Sequence, residues 1–375
     1  MGETLTAPFP WFGGKSKVAD LVWDRFDGVV NYVEPFAGSL AVLLSRSHAP
    51  TIETVNDVDG LLVNFWRAVQ YDPESVARNC DWPVHELEIH AWHKKLVKLK
   101  PYVKARLEAD PEWFQPVIAG RWVWGLSAWI GSGWCAGNGE SKQLPNIAGT
   151  NEAPRTTGNG VHSKRMRLPH LGAGTGGLDD HPCAHYGKGV RAQGMRLSQQ
   201  LPDVGARAEG VAGGRGVHSG TNRTNLYAVI EALSQRLRYA RVTCGDFERI
   251  LSPAVTWRHG TTGVFLDPPY PPDAGCEANI YSGSVGVERE VFDRAFRYCV
   301  ENGHDKRLRI AFCYYDGTLV NGKDVSAELR SLGWDIVPWK ARGGYGGQSG
   351  DNINATRERI AFSPGCLSSA QRSLF

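Results

Sequence analysis

Two stretches of alternating strand-like and helix-like pattern, about residues 1–72 and 226–362, are separated by a segment of different character, residues 73–225. In the first stretch, Asn31-Tyr-Val-Glu34 and Ile52-Glu-Thr-Val55 read as short strands. Between them Ser39-Leu-Ala-Val-Leu-Leu-Ser45 reads as the start of a helix. That is a βαβ rhythm, and it implies a parallel sheet. In the second stretch Leu226, Val229, Ile230, Leu233 and Leu237 trace one helical face. Strands are expected after it at Arg241–Cys244, Thr262–Leu266, Leu308–Phe312, Asp335–Pro338 and Arg359–Phe362. The expected fold is therefore α/β: residues 1–72 and 226–375 make one sheet domain, and residues 73–225 are inserted into it.

The length, 375 residues, is ample for a buried core. No apolar run approaches a membrane span, and Met1-Gly-Glu-Thr-Leu-Thr-Ala-Pro8 lacks the charged start and apolar centre of a signal peptide. The eight cysteines are scattered with no CxxC, which suits reduced thiols in a cytoplasm. The expected setting is a soluble cytoplasmic protein with no membrane contact.

The middle region has its own signals. Val84 to Leu107 has helical spacing with a basic face of Lys94, Lys95, Lys98, Lys100, Lys104 and Arg106. An aromatic, glycine-rich run follows from Trp122 to Trp134, so several tryptophans fall in the part of the chain assigned to substrate contact. Residues 142–223 hold eleven Lys/Arg against five Asp/Glu, so the net charge of +3 conceals a basic segment on a nearly neutral body. That is the footprint of a phosphate-backbone partner, and a solvated surface insert is the alternative. Within 142–220, Gln143-Leu-Pro-Asn-Ile147, Arg167-Leu-Pro-His-Leu171 and Gln200-Leu-Pro-Asp-Val204 share a core. Each leads to a second box: Gly158-Asn-Gly-Val-His162, Gly187-Lys-Gly-Val-Arg191 and Gly214-Arg-Gly-Val-His218. These read as three degenerate repeats whose glycine-flanked tips let a backbone approach a phosphate. Lys164, Arg165, Lys188, Arg191 and Arg215 are the candidate DNA contacts, with plain surface hairpins the other reading. His181-Pro-Cys183-Ala-His185 matches no standard zinc spacing, and no metal is expected.

Three short motifs carry the chemistry. Asp267-Pro268-Pro269-Tyr270 closes the apolar strand Thr262–Leu266. Two consecutive prolines remove two backbone donors, leaving outward carbonyls beside a carboxylate and a ring. The exocyclic amine of a planar base needs such acceptors and such a stacking surface; a plain strand end is the structural alternative. Val33-Glu34-Pro-Phe36-Ala-Gly38 is a strand followed by a glycine turn, at the strand terminus where doubly wound sheets bind ligands. About twenty residues on, Asn56-Asp57 offers a carboxylate for ribose hydroxyls. The alternative role for Asp57 is an N-cap before Gly60-Leu-Leu-Val-Asn-Phe65. GxGxxG is missing, which disfavours NAD.

In this order the motifs resemble the Dam-like, alpha-group DNA adenine-N6 methyltransferases. Pro10-Trp11-Phe-Gly-Gly-Lys15 is similar to that family's N-terminal cofactor motif, Glu34-Pro-Phe-Ala-Gly38 to its methionine-side loop, and Asn56-Asp57 to its ribose-binding acid. Cys244-Gly-Asp246-Phe247 resembles the segment that holds the cofactor adenine, and Asp267–Tyr270 the catalytic motif. The resemblance covers about 1–72 and 226–362, and the glycine-rich repeats look closer to phage-type relatives.

The resemblance implies a Rossmann-like, S-adenosylmethionine-dependent methyltransferase sheet with an inserted target-recognition domain. It implies methyl transfer to N6 of a flipped adenine in double-stranded DNA. Asp267, Pro268, Pro269 and Tyr270 would be catalytic. Trp11, Lys15, Glu34, Phe36, Gly38, Asp57, Asp246, Phe247 and Asp267 would form the cofactor site, with Lys15 a partner for the methionine carboxylate. One departure is Leu40, where the family often has a second glycine; it puts the cofactor pose there in question. Cytosine-N4 methylation, adenine methylation in RNA and an inactive DNA-binding relative stay open as alternatives. A monomer in a bacterial cytoplasm is expected, and a cognate restriction enzyme or a phage-encoded protective role is compatible with it.

Overall fold

The computed structural model describes residues 5–9, 11, 15–46, 51–110, 112–129, 134–135, 223–271, 285–339 and 356–367. The strands are β1 (Asn31–Glu34), β2 (Ile52–Asp57), β3 (Arg241–Cys244), β4 (Thr262–Leu266), β5 (Leu308–Tyr315), β6 (Leu319–Val320), β7 (Lys323–Asp324), β8 (Asp335–Pro338) and β9 (Glu358–Phe362). The helices are α1 (Ala19–Phe26), α2 (Ala41–Leu44), α3 (Gly60–Tyr71), α4 (Pro73–Cys80), α5 (Glu86–Ala109), α6 (Pro116–Ala128), α7 (Arg223–Leu237), α8 (Val285–Asn302) and α9 (Val325–Ser331).

Seven strands form one sheet in the order β3-β2-β1-β4-β5-β9-β8, and β6 and β7 pair as a separate hairpin. Strands β3, β2, β1, β4 and β5 run parallel, while β9 is antiparallel to both β5 and β8. This is a Rossmann-like, mostly parallel α/β sheet, in agreement with the fold class expected from the pattern. The strands expected at 31–34, 241–244, 262–266 and 335–338 are found at those bounds. Both β1 and β4 are buried along their whole length, as strands covered on two faces must be.

Strand order reverses between β1 and β4, because β1 leads outward to β2 and β4 leads the other way to β5. A polar residue secures that junction. Asn31 donates from Nδ2 to the carbonyls of Val255 and Thr256 at 2.8 and 3.2 Å and to Thr262 Oγ1 at 3.1 Å. A buried amide is tolerated because its donors are used.

The two stretches of chain are also joined by charge. Buried Glu53 on β2 accepts from Arg46 at 3.2 Å and from Arg236 on α7 at 2.7 and 2.9 Å. The guanidiniums continue to backbone carbonyls: Arg46 to Val29 at 3.0 Å and Arg236 to Leu43 at 2.9 Å. One carboxylate thus holds β2, α2 and α7 together.

Helices α4, α5 and α6 share the core cluster of α3 and α7, so residues 73–128 are continuous with the layer that covers the sheet. Part of the aromatic run belongs to this core. Trp122 and Trp124 are 3% and 0% exposed, and Gly120 lets α6 press on α4, where a Cβ would meet the Val76 carbonyl at 2.7 Å. An aromatic helix buried on most sides packs as core rather than contacting substrate.

Glu53→Ala leaves two guanidiniums buried without their carboxylate, and should cost about 3–5 kcal/mol. Urea unfolding of the variant against the parent chain measures it.

Candidate active site at the strand ends

The carboxyl ends of β1, β2, β3 and β4 open on one edge of the sheet, where ligands of doubly wound folds bind. Glu34 ends β1, Asp57 ends β2, Asp246 follows β3 and Asp267 follows β4. Asn56 braces this edge. Its Nδ2 donates to the Pro35 carbonyl at 3.2 Å and the Gly245 carbonyl at 3.0 Å, and its Oδ1 accepts from Thr243 at 3.0 Å. The loops after β1 and β3 are therefore tied to β2 by one side chain.

The glycine turn after β1 is built around Gly38, whose φ of +46° is the left-handed conformation that glycine adopts without cost. A Cβ there would lie 2.5 Å from Trp11 Nε1, so Trp11 packs directly against the turn. The Gly38 N–H donates to Asp57 Oδ2 at 3.1 Å, and Trp66 donates to the Gly38 carbonyl at 3.1 Å. Leu40 follows with φ +56° and its side chain fully buried. A left-handed leucine costs on the order of 1–2 kcal/mol, which burial of its isobutyl group offsets. The chain thus keeps a glycine-like backbone at Leu40 without the glycine, and α2 is shortened to begin at Ala41.

Asp57 is not the N-cap of α3. That role belongs to Asp59, which accepts from Leu61 N at 2.9 Å. Asp57 instead accepts from Asp59 N at 2.9 Å as well as from Gly38, joining the β1 and β2 loops. Burial pushes its carboxyl up to about 6, and the backbone N–H donors only partly oppose this.

The β3 side holds Phe247, buried, with its ring 5.0 Å from that of Phe36. Asp246 caps the following turn through Glu248 N at 2.9 Å and is gripped by Arg294 of α8 at 2.9 and 3.0 Å. Arg294 also lies 5.0 Å from the Phe247 ring centroid and pairs with Glu248 at 2.8 Å. The sequence pattern gave no sign of Arg294, which lies well along the chain on another helix.

At the end of β4, the Lys15 ammonium lies 2.9 Å from Asp267 Oδ2, both largely shielded from solvent. Lys15 therefore meets Asp267 directly, a contact that the expectation of a methionine-carboxylate partner did not include. Burial disfavours the ammonium, yet Asp267, with Cys313 and Glu358, outweighs that and holds its pKa above the ordinary lysine value. The ammonium is also 5.5 Å from the ring centroids of Tyr270 and Trp339. Tyr270 donates to Glu358 Oε2 at 3.0 Å, and its hydroxyl is 3.4 Å from Asp267 Oδ1. Its ring meets Tyr315 edge-on at 4.5 Å. Burial, then the charges of Glu358 and Asp267, keep the phenol protonated. Glu34 completes the group: burial lifts its carboxyl well above the usual range, against a hydrogen bond from Tyr32 at 3.0 Å and with a further push from Asp267.

Glu358, Tyr315, Trp339 and Arg294 were not expected at the site. For Glu358 a signal existed, since it shares a strand face with Ile360 and Phe362, an odd place for a carboxylate. The candidate DNA contacts Lys164, Arg165, Lys188, Arg191 and Arg215, the repeats over 142–220 and the His181–His185 segment lie outside the described residues.

With this geometry in place, comparison with protein families gives one result. Residues 11–119 match the model described as D12 class N6 adenine-specific DNA methyltransferase. Over those residues the chain is similar to methyltransferases of that class. Its activity is methylation of adenine N6 in DNA, so DNA is the substrate and a methyl donor is required. The match begins at Trp11 and includes Lys15, Gly38 and Asp57, as well as α4 and α5. A search of curated proteins finds no match to this methyltransferase. Among the described residues no helix is long and apolar enough to cross a membrane.

The pKa of Asp57 gives a pH dependence with a defined sign. Its unfolded carboxyl titrates near the ordinary value of about 4, so between about 4 and 6 the folded state holds a proton that the unfolded chain has released. The contribution of this group to stability is greatest below pH 4 and is lost as pH rises through about 6. Thermal unfolding across that range should show this slope in the parent and a flatter one in Asp57→Asn.

Proposed function

We propose that this methyltransferase uses S-adenosylmethionine as donor and methylates an adenine that has been flipped out of duplex DNA into the site at the ends of β1 and β4. The observation that carries this reading is the juxtaposition of Asp267 and Tyr270 with the loops of Gly38 and Asp57 at the point where strand order reverses. A nucleoside donor and a flipped base would meet at that edge.

On the donor side, Asp57 accepts hydrogen bonds from ribose hydroxyls, while Trp11, Glu34, Phe36 and Gly38 shape the methionine end. Asp246 and Phe247, held by Arg294, take the donor adenine. An ammonium has three donor hydrogens, so Lys15 can hold Asp267 with one and a carboxylate of the donor with another. When bound, the donor supplies an electrophilic methyl group on a sulfonium.

On the base side, Tyr270 stacks on the target adenine, and Asp267 with the Pro268 carbonyl accepts its two N6–H bonds. Pro269 stiffens the loop that presents them. Those acceptors aim the amine and stabilise the positive charge that develops on N6 during transfer, a charge relieved when N6 releases one proton to solvent. The Lys15 ammonium, 2.9 Å from Asp267 Oδ2, holds that carboxylate in place for this role.

We read the basic segment at 142–220, with Lys164, Arg165, Lys188, Arg191 and Arg215, as the part of the target-recognition region that follows the phosphate backbone. The enzyme would act as a monomer in a bacterial cytoplasm. A cognate restriction nuclease is the partner that site-specific methylation suggests.

Nucleoside mass spectrometry on plasmid DNA from methylation-free bacteria expressing the chain should show N6-methyladenine, and none with Asp267→Ala. N4-methylcytosine in its place would overturn the base assignment. Isothermal titration with S-adenosylmethionine should show affinity falling as pH drops through about 6, where Asp57 takes up its proton; a donor affinity flat across that range would remove Asp57 from the ribose role.

A further inference from the structure

We infer that Glu358 is a positioning residue for methyl transfer, clamping the Tyr270 phenol so that the ring offers a fixed face to the target base. The inference rests on the assignment of Tyr270 as the stacking residue. It goes beyond that assignment by naming what holds the ring.

Tyr270 leaves the double proline with two side-chain torsions to settle. Its neighbours settle them from one source, the β5–β9 pair. Tyr315 and Glu358 are directly opposite in that antiparallel ladder, so their side chains emerge together on one face. Tyr315 meets the flank of the Tyr270 ring edge-on at 4.5 Å, and Glu358 takes its hydroxyl at 3.0 Å. Flank and tip are both gripped, which leaves the ring no easy rotation.

The fold does not require a carboxylate at this position. Glu358 is 3% exposed and shares its strand face with Ile360 and Phe362, where an apolar residue would be cheaper to bury. Burial raises its pKa, with Lys15 opposing and Asp267 adding. What the site gains from this costly group is an acceptor at the tip of Tyr270. The same contact connects the last strand of the sheet to the catalytic loop.

The test is steady-state transfer from labelled S-adenosylmethionine to unmethylated plasmid DNA, using the full chain. Glu358→Met, which removes the acceptor at similar volume, should lower kcat about 10-fold while KM for the donor stays within about 3-fold. Glu358→Gln keeps an acceptor oxygen and should restore kcat to within about 3-fold of the parent. Tyr270→Phe should be at least as slow as Glu358→Met, since it also loses the 3.4 Å contact with Asp267. The double variant should be no slower than Tyr270→Phe, because the Glu358 contact is already gone. The role of Glu358 is overturned by any of three results: Tyr270→Phe at the parent rate, Glu358→Gln as slow as Glu358→Met, or multiplicative losses in the double variant. If Glu358→Met does not fold, the Tyr270→Phe and Glu358→Gln arms still decide. Tyr270→Ala separates the premise from the inference. Full activity in Tyr270→Ala removes stacking itself; a slow Tyr270→Ala beside a parent-rate Tyr270→Phe keeps stacking and rejects Glu358.

Discussion

The parallel pairing of β1 with β4 is the contact on which the rest of the site depends. It joins residues 31–33 to residues 262–264, so two segments far apart in the chain become adjacent strands. Because the order reverses there, the loop after β1 and the loop after β4 diverge and leave a crevice between them. The glycine turn at Gly38 and the Asp267-Pro-Pro-Tyr270 loop face that crevice from its two sides. A slip of one residue in this register would turn the side chains of one strand to the opposite face, and Asn31 opposes such a slip by bonding to Thr262 and the segment before it.

Around that pairing the molecule concentrates charge where solvent is scarce. Lys15, Asp267, Glu358 and Glu34 influence one another electrostatically, and only some can be ionised together at low dielectric. The arrangement divides the work. Burial holds the Glu34 carboxyl well above the usual range, Lys15 is kept charged by its acidic neighbours, and Tyr270 is kept protonated as a hydrogen-bond donor. A carboxylate fixed beside the Lys15 ammonium suits the proposed transfer, which builds positive charge on an amine.

Much of this was legible in the sequence. Short strand-like runs at 31–34, 52–55, 241–244 and 262–266 announced the strands, of which β1 and β4 are buried along their whole length. The family resemblance drawn from the motifs agrees with the match over residues 11–119. Less legible was the meaning of single residues. Asp57 before Gly60 suits a helix cap as well as a ligand contact, and only the fold shows Asp59 capping while Asp57 bridges two loops. The tryptophans of α6 suited a binding surface as well as a core, and packing against α3 and α4 decided for the core.

The sequence by itself determined the α/β class, the strand positions and the methyltransferase type, since hydrophobic period and local motifs are properties of neighbouring residues. The tertiary structure alone decided which distant side chains meet. The Lys15–Asp267 pair, the Arg294 grip on Asp246 and the Glu358 clamp on Tyr270 each join segments set together by strand order and register. Nothing in local patterning encodes those partnerships, because they depend on where a strand from the end of the chain is laid beside one from the middle.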